Sequence, residues 1–143
     1  MIEINKTAIV PYQPSAIFAL VTDIPNYPKY LPWCKRAEIQ SQSGNEVIGA
    51  VYIEYLKIRT HFITKNINTA PTKIEMTLVD GPFKHLSGTW EFTPLGPNGC
   101  KISFNLKYQF SNHLLEKLIG PVFGYISKNI MDHFIQEANK RYQ

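Results

Sequence analysis

Residues 101–110 read Lys-Ile-Ser-Phe-Asn-Leu-Lys-Tyr-Gln-Phe, and polar and apolar residues alternate through the whole stretch. Successive side chains of an extended strand point to opposite faces, so the apolar residues of this stretch share one face. The alternation therefore predicts a β-strand with one buried and one solvated face, which is typical of an antiparallel sheet.

The apolar residues change to a helical spacing directly after this strand, and Ser111 or Asn112 is a candidate N-cap. The helical stripe consists of Leu115, Leu118, Ile119, Val122, Ile126, Ile130, Phe134 and Ala138. A helix over 112–142 would be roughly 45 Å long at about 1.5 Å per residue, enough to cross a sheet. The residues expected to pack on the concave face of the sheet are Leu118, Val122, Ile126 and Ile130. Gly120-Pro121 is expected to kink or divide the helix, because proline removes a helical hydrogen bond.

Several shorter runs upstream alternate in the same way and are separated by turn signals. The turn signals are Ser43-Gly44-Asn45, Ala70-Pro71-Thr72, Asp80-Gly81-Pro82 and Gly96-Pro97-Asn98-Gly99. Residues 2–10, 73–78 and 89–92 are predicted strands with one buried face. The inward register of residues 47–56 and the character of residues 59–68 stay ambiguous from the pattern.

Two short helical segments are expected between the first strand and the rest of the sheet. From Pro14 to Asp23, apolar residues recur at helical spacing, and proline is accepted in a first helical turn. Three prolines and three aromatic residues follow in 25–34 and leave room for a single helical turn before the chain extends. The predicted fold is α+β, with an antiparallel sheet of about seven strands wrapped on a long C-terminal helix in one domain of residues 1–143.

Composition narrows the possible function classes. Hydrophobic residues make up 44% and charged residues 18% of the chain, a globular balance, and no apolar run approaches the roughly 20 residues that span a bilayer. The net charge of +4 is spread along the chain, so no DNA-binding surface is predicted. The first ten residues lack a secretory pattern, and a cytoplasmic location is expected.

Residues that perform chemistry are sparse. Cys34 and Cys100 have neither CxxC spacing nor a ligand cluster, so free thiols and no metal site are predicted. No nucleophile is accompanied by a base in a known motif, and neither catalytic residues nor a cofactor are predicted. His133 and Glu137 are expected to form a surface pair on the last helix. His85 could act as an acid or base in a cyclase, but an exposed loop position is favoured.

Three segments carry a family resemblance. They are Pro25-Asn26-Tyr27-Pro28-Lys29-Tyr30-Leu31-Pro32-Trp33-Cys34, Val79-Asp80-Gly81-Pro82-Phe83-Lys84 and Gly88-Thr89-Trp90-Glu91-Phe92. They resemble the coenzyme Q-binding branch of the START-like (SRPBCC) proteins. That branch includes the ribosome-association-toxin group and was formerly labelled oligoketide cyclase or lipid transport. The resemblance implies the helix-grip, Bet v 1-like fold and a hydrophobic tunnel suited to ubiquinone or a related polyprenyl lipid.

The residues expected to line such a cavity combine the inward strand registers, the aromatic corner and the helix stripe. They are Phe18, Tyr27, Leu31, Trp33, Val51, Ile53, Phe62, Met76, Phe83, Trp90, Phe104, Leu118, Val122 and Ile126. The same aromatic and aliphatic residues could instead fill an ordinary packed core, and the pattern alone does not decide between these alternatives.

Two functions of different classes follow from the resemblance. The first is a lipid carrier or chaperone that supports respiration and makes transient contact with a membrane surface. The second is a toxin that binds the large ribosomal subunit and blocks subunit joining. A contiguous basic patch would favour the ribosome, because phosphate contacts need clustered cations. The candidate docking residues are Lys57, Arg59, Lys65 and Lys84. A polyketide cyclase is the third and least favoured alternative.

Overall fold

The computed structural model describes residues 1–143. Its strands are β1 (Ile2–Val10), β2 (Cys34–Ser43), β3 (Glu46–Tyr55), β4 (Ile58–Thr69), β5 (Lys73–Asp80), β6 (Phe83–Pro94) and β7 (Cys100–Phe110). The helices are α1 (Pro14–Thr22), a 3₁₀ helix (Ile24–Lys29) and α2 (His113–Tyr142). The seven strands form one sheet in the order β1-β7-β6-β5-β4-β3-β2, and all neighbours are antiparallel. The predicted α+β architecture with a long C-terminal helix is confirmed.

The alternating stretch that ends at residue 110 forms β7, which lies between β1 and β6. Its apolar residues Ile102, Phe104, Leu106, Tyr108 and Phe110 are all buried, while the polar residues between them are exposed or half-buried. The period of two therefore reports burial correctly here, because the inner face of the sheet is covered by α2 and the outer face meets solvent.

Helix α2 begins at the predicted cap, where the Asn112 side chain accepts a hydrogen bond from the backbone N–H of Leu115 at 2.9 Å. The helix packs on the inner face of the sheet through Phe123 and Phe134, which contact rings of β6. The prediction that Leu118 belongs to the packed stripe is wrong, because its side chain is 52% exposed. At about 100° per residue, Leu118 lies about 140° around the helix from Phe123, so it sits on the flank.

Gly120-Pro121 does not divide the helix, since α2 is continuous from His113 to Tyr142. Pro121 has no N–H to bond the carbonyl of Lys117, one turn earlier. Lys117 and Pro121 are both exposed, so water can hydrate the Lys117 carbonyl and offset part of the cost of the missing hydrogen bond. Proline is thus tolerated at this point because it lies on the solvent side of the helix.

The aromatic corner forms two turns of 3₁₀ helix rather than the single predicted turn. The φ angle fixed by proline suits this tighter helix, which needs only three residues per turn. The hydroxyls of Tyr27 and Tyr30 donate to the backbone carbonyls of Val21 and Leu20 at the end of α1. Both rings also lie against Phe134, with centroid distances of 5.5 and 5.9 Å. The corner therefore joins α1 to the C-terminal half of α2.

No helix of the protein combines the length and the apolarity needed to cross a bilayer.

Candidate functional site

A cavity of about 80 Å³ lies between the inner face of the sheet and α2. Fourteen of the 18 residues of its wall are hydrophobic. The predicted candidates that line it are Tyr27, Trp33, Val51, Phe62, Met76, Trp90, Phe104 and Ile126. The strands, the aromatic corner and the long helix thus all contribute to one apolar wall.

Six predicted lining residues do not reach the cavity: Phe18, Leu31, Ile53, Phe83, Leu118 and Val122. Leu31 and Ile53 are fully buried in the surrounding core, and Val122 is buried one residue away from the wall-forming Phe123. Phe18 on α1 packs edge-on against Phe92, with ring centroids 6.2 Å apart. Phe83 lies against the wall residue Phe123 with ring centroids 4.8 Å apart, whereas Leu118 faces solvent.

The wall also contains ten residues that are not in the predicted lining set. They are Ile24, Gly49, Thr64, Asn66, Leu86, Leu106, Phe123, Ser127, Ile130 and Phe134. The most informative of these are the polar ones. Phe62, Thr64 and Asn66 are two residues apart on β4 and therefore share a face, a signal that was available in the sequence. It was missed because two polar residues in an otherwise mixed strand obscure the apolar face.

Aromatic rings close the cavity toward the N-terminal half of α2. The ring of Phe123 lies 5.9 Å from that of Phe62, and 4.8 Å from those of both Phe83 and Tyr108, measured between centroids. Phe83 also stacks on Phe110 at 5.0 Å. We call these five residues the aromatic cluster. Two of its members, Phe62 and Phe123, line the cavity.

Three polar side chains lie in the apolar wall. The Thr64 hydroxyl donates to Oδ1 of Asn66 at 2.8 Å, and both residues are buried. The Ser127 hydroxyl is shared between the backbone carbonyls of Phe123, at 2.9 Å, and Gly124, at 3.2 Å. The buried Nε1–H of Trp33 has no hydrogen-bond partner. The wall therefore offers hydrogen-bonding groups but no acidic, basic or histidine side chain.

Burial raises the pKa values of the titratable groups near the cavity. Desolvation raises the pKa of the Tyr27 phenol far above its ordinary value, and the neighbouring Tyr30 adds to this effect. Desolvation also raises the pKa of the Tyr108 phenol, against a smaller lowering by the Ser127 hydroxyl. The Cys34 thiol has its pKa raised from 9.0 to about 11 by burial. At neutral pH these phenols and this thiol are protonated, so they add no charge to the site.

The histidines considered for acid–base chemistry lie outside this wall. His85 is exposed on β6, and its Nε2 is 3.2 Å from the Ser87 hydroxyl. His133 does not pair with Glu137, because its Nδ1 lies 2.9 Å from the carbonyl of Asn129. Glu137 instead accepts a hydrogen bond from Nε of Arg141 at 2.7 Å. No histidine is thus positioned to act on a molecule in the cavity.

The four candidate docking cations do not form a contiguous patch. Arg59 and Lys65 are six residues apart on β4, roughly 20 Å at about 3.3 Å per residue. Each lies near a carboxylate, Arg59 at 3.6 Å from Glu54 and Lys65 at 3.8 Å from Glu46. Lys57 and Lys84 are exposed and have no carboxylate partner.

Comparison with known proteins gives one matching family and several full-length relatives. A family described as "Polyketide cyclase / dehydrase and lipid transport" matches residues 10–135. The ribosome association toxin RatA of Escherichia coli K12 is 38% identical over 142 residues, covering 99% of this chain and 90% of that protein. RatA of Pseudomonas aeruginosa is 32% identical, with 97% and 96% covered. The mitochondrial coenzyme Q-binding protein COQ10 of Drosophila melanogaster is 24% identical over 96% of this chain and 58% of that protein.

Two solved structures show the same fold. The Zhui aromatase/cyclase from Streptomyces sp. R1128 superposes with a TM-score of 0.83 at 12% identity, covering 99% of this chain and 96% of that one. A START superfamily protein from Mycobacterium smegmatis gives a TM-score of 0.72 at 21% identity, with 94% and 97% covered. At these identities the likeness extends to the fold alone.

Proposed function

We propose that this chain, which belongs to the polyketide cyclase/dehydrase and lipid transport family of START-like proteins, binds a neutral hydrophobic molecule in the cavity under α2. Within that family it belongs to the branch of the ribosome association toxins and coenzyme Q-binding proteins. The best candidate is ubiquinone or another polyprenyl lipid, which the protein would carry to respiratory or biosynthetic enzymes. The observation that carries the proposal is the cavity itself, whose wall is mainly aromatic and aliphatic and free of charge.

The chemistry of the wall matches such a ligand. Trp33 and Trp90 provide large flat faces for a ring, and both line the cavity. An isoprenoid tail gains about 0.8 kcal/mol for each buried methylene-sized group, so a few isoprene units would give strong binding. Burial of an ionised head group among these residues would instead be unfavourable, because nothing in the wall would neutralise its charge.

The cavity must enlarge when a polyprenyl ligand binds. Its 80 Å³ is well below the roughly 300 to 1,000 Å³ of typical small-molecule sites. The aromatic cluster is the part of the wall that we expect to move, because its member Phe123 lies between Gly120-Pro121 and Gly124 on the helix. We propose that rotation of the Phe123 ring admits the ligand.

A carrier of this kind has to contact membranes, and one end of the molecule is suited to that contact. Leu56, Leu114, Leu118 and Tyr125 are 74%, 66%, 52% and 40% exposed. Tyr125 stacks on Tyr55 with ring centroids 5.5 Å apart, which brings the β3–β4 turn against α2. We call these four residues the apolar end. Lys57 and Lys117 are beside it in sequence and have no carboxylate partner, so they could meet anionic lipid head groups.

The β3–β4 turn holds the exposed Leu56 side chain of the apolar end in an unusual backbone conformation. Leu56 and Lys57 adopt positive φ angles of 49° and 68°, in a region that Asn and Gly occupy at lower cost. A stable hairpin does not require an exposed leucine at this position. Its presence supports a role for the Leu56 side chain outside the fold, and insertion into a lipid interface is such a role.

We propose binding rather than turnover as the activity. The cyclases among the structural relatives are 12% identical or less, so they support the fold and not a reaction. We also propose a cytoplasmic location, which the two buried free thiols Cys34 and Cys100 support, since thiols persist in a reducing compartment.

The experiment that tests the proposal is native mass spectrometry of the protein purified from its own host, combined with extraction into organic solvent. A stoichiometric neutral lipid with a quinone head group is the expected result. Protein that is consistently ligand-free, and that takes up no quinone when quinone is supplied, would contradict the proposal.

Docking on the large ribosomal subunit is the second candidate. It is favoured by one observation, the 38% identity over nearly the whole chain to a protein named for ribosome association. The scattered and partly paired cations give it less support. Overexpression should then shift ribosomes from joined particles to free subunits, and Lys57→Glu with Lys84→Glu should relieve that shift. Lys65→Glu, at a lysine already paired with Glu46, is the matched control. Unchanged sedimentation profiles at high expression would exclude this function.

A further inference from the structure

Thr64 and Asn66 form a polar pair in the wall of the cavity, where packing alone would favour apolar side chains. Both residues are on β4 and are buried, with Thr64 7% and Asn66 9% exposed. The Thr64 hydroxyl donates to Oδ1 of Asn66 at 2.8 Å and has no other acceptor. This bond orients the Asn66 amide, because the Thr64 hydroxyl has no other acceptor and can use its hydrogen only when the amide turns its oxygen toward it.

The fixed amide leaves two hydrogen-bond donors unused. A primary amide has an acceptor oxygen and an NH₂ group, and only the oxygen of Asn66 is bonded. The Nδ2 hydrogens therefore have no partner in the protein. Trp33 lines the same cavity, and its Nε1–H, which can only donate, is fully buried and has no partner.

The remaining polar group of the wall does not satisfy these donors. Ser127 is opposite on α2, and its hydroxyl is held by the carbonyls of Phe123 and Gly124 within its own helix. None of the 18 wall residues is acidic or basic. The cavity thus combines unused neutral donors with an absence of charge.

A buried donor without a partner, such as the Trp33 Nε1–H, is unfavourable, and native structures contain few of them. An acceptor atom supplied by a ligand would remove that cost. We infer that Asn66, oriented by Thr64, together with Trp33 recognises a neutral ligand head that carries hydrogen-bond acceptor oxygens, such as the carbonyl of a quinone, ketone or ester. The inference rests on the proposed function and specifies the class of ligand. A carboxylate is disfavoured because no cation would compensate its desolvation, and a pure hydrocarbon because it would leave the donors unpaired.

The test compares three probes with equal tails: a decyl-substituted benzoquinone, decylbenzene and decanoic acid. The variant Thr64→Val with Asn66→Leu removes both polar partners and keeps the shape of the wall. We expect the ratio of quinone affinity to decylbenzene affinity to fall about tenfold in this variant, the effect of one lost hydrogen bond. Thr22→Val is the matched control. It removes a hydroxyl that donates to the carbonyl of Phe18 within α1, outside the cavity wall, so the ratio should not change.

A second readout separates recognition from packing. When a polar pair has no structural role, replacing both partners by apolar groups of similar shape changes the free energy of unfolding little. The ligand-free double variant should therefore keep its Tm. A lowered Tm with an unchanged affinity ratio would overturn the inference and make the pair structural. Tighter binding of decanoate than of the quinone at pH 7 would overturn it as well. If wild-type protein binds none of the three probes, the proposed function itself fails. If quinone and decylbenzene bind with the same affinity ratio in wild type and variant, the inference fails but the proposed function stands.

Discussion

Phe123 on α2 lies against Phe83 at the start of β6, with ring centroids 4.8 Å apart and ring planes inclined at 60°. Phe83 belongs to the Val-Asp-Gly-Pro-Phe turn, and Phe123 follows Gly120-Pro121 and lines the cavity. The contact therefore joins the turn that precedes β6 to the part of α2 that follows Gly120-Pro121. Phe123 therefore belongs both to the cavity wall and to the aromatic cluster.

Truncation of this ring should loosen the closure of the cavity. Phe123→Ala is expected to cost about 3 to 5 kcal/mol in the free energy of unfolding, as for other buried phenylalanines, and to accelerate quinone binding because the obstructing ring is gone. Urea unfolding and stopped-flow fluorescence measure the two effects. Phe110→Ala is the control, since Phe110 belongs to the aromatic cluster but not to the cavity wall. Equal binding rates for both variants would contradict a closing role for Phe123.

Filling the cavity should abolish binding and leave the fold intact. Val122 is not suitable for this test, because it does not line the cavity, whereas Ile126 does. We expect Ile126→Phe to reduce quinone affinity at least tenfold while costing about 1 to 3 kcal/mol of stability through overpacking. Leu118→Phe, on the exposed flank of the same helix, should change neither quantity. Calorimetric titration and thermal unfolding of both variants provide the comparison.

Contact with membranes should depend on the apolar end. Leu56→Ser with Leu118→Ser removes two exposed side chains, and we expect at least fivefold weaker co-sedimentation with vesicles that contain phosphatidylglycerol. Ile9→Ser changes an equally apolar residue, 75% exposed, on β1, and it serves as the control. A loss of binding that is the same for Ile9→Ser would show that general hydrophobicity, and not this surface, determines the association.

Burial of the Cys34 thiol should make the free energy of unfolding depend on pH in the alkaline range. Its pKa is raised by burial from 9.0 to about 11, so the unfolded chain ionises at a lower pH than the folded protein. The stabilisation is fully present below pH 9 and is lost as the pH rises toward 11. We expect the free energy of unfolding of the wild type to fall more steeply over this window than that of Cys34→Ala. Parallel pH profiles for the two proteins would refute the assignment.

The sequence predicted the fold well because the two periods are distinct and long. β7 is clear since every second residue of 101–110 is apolar, and α2 is clear since its spacing changes abruptly after Phe110. The order of the elements then left few ways to cover the sheet. Gly120-Pro121 was expected to kink or divide the helix, and division is wrong because the cost of a proline depends on whether its side of the helix meets water, which only the packed structure reveals.

The cavity was harder to predict than the fold. The helix stripe was centred on Val122 and Ile126 without Phe123, and this small rotation brought in Leu118, which is exposed. Thr64 and Asn66 were omitted because a search for apolar residues excludes the polar ones that a ligand site requires. Ile53 and Leu31 face inward as predicted, but the pattern does not distinguish a cavity wall from the layer behind it.

The central claim is that a neutral hydrophobic ligand binds under α2, and the intrinsic fluorescence of the protein tests it most directly. The chain has two tryptophans, Trp33 and Trp90, and both line the cavity, so every tryptophan signal reports on that site. Titration with a decyl-substituted benzoquinone should quench this fluorescence saturably, with one quinone bound per chain, and Ile126→Phe should abolish the saturable part. Quenching that rises without saturation, as for free tryptophan in solution, and equally in wild type and Ile126→Phe, would contradict the claim.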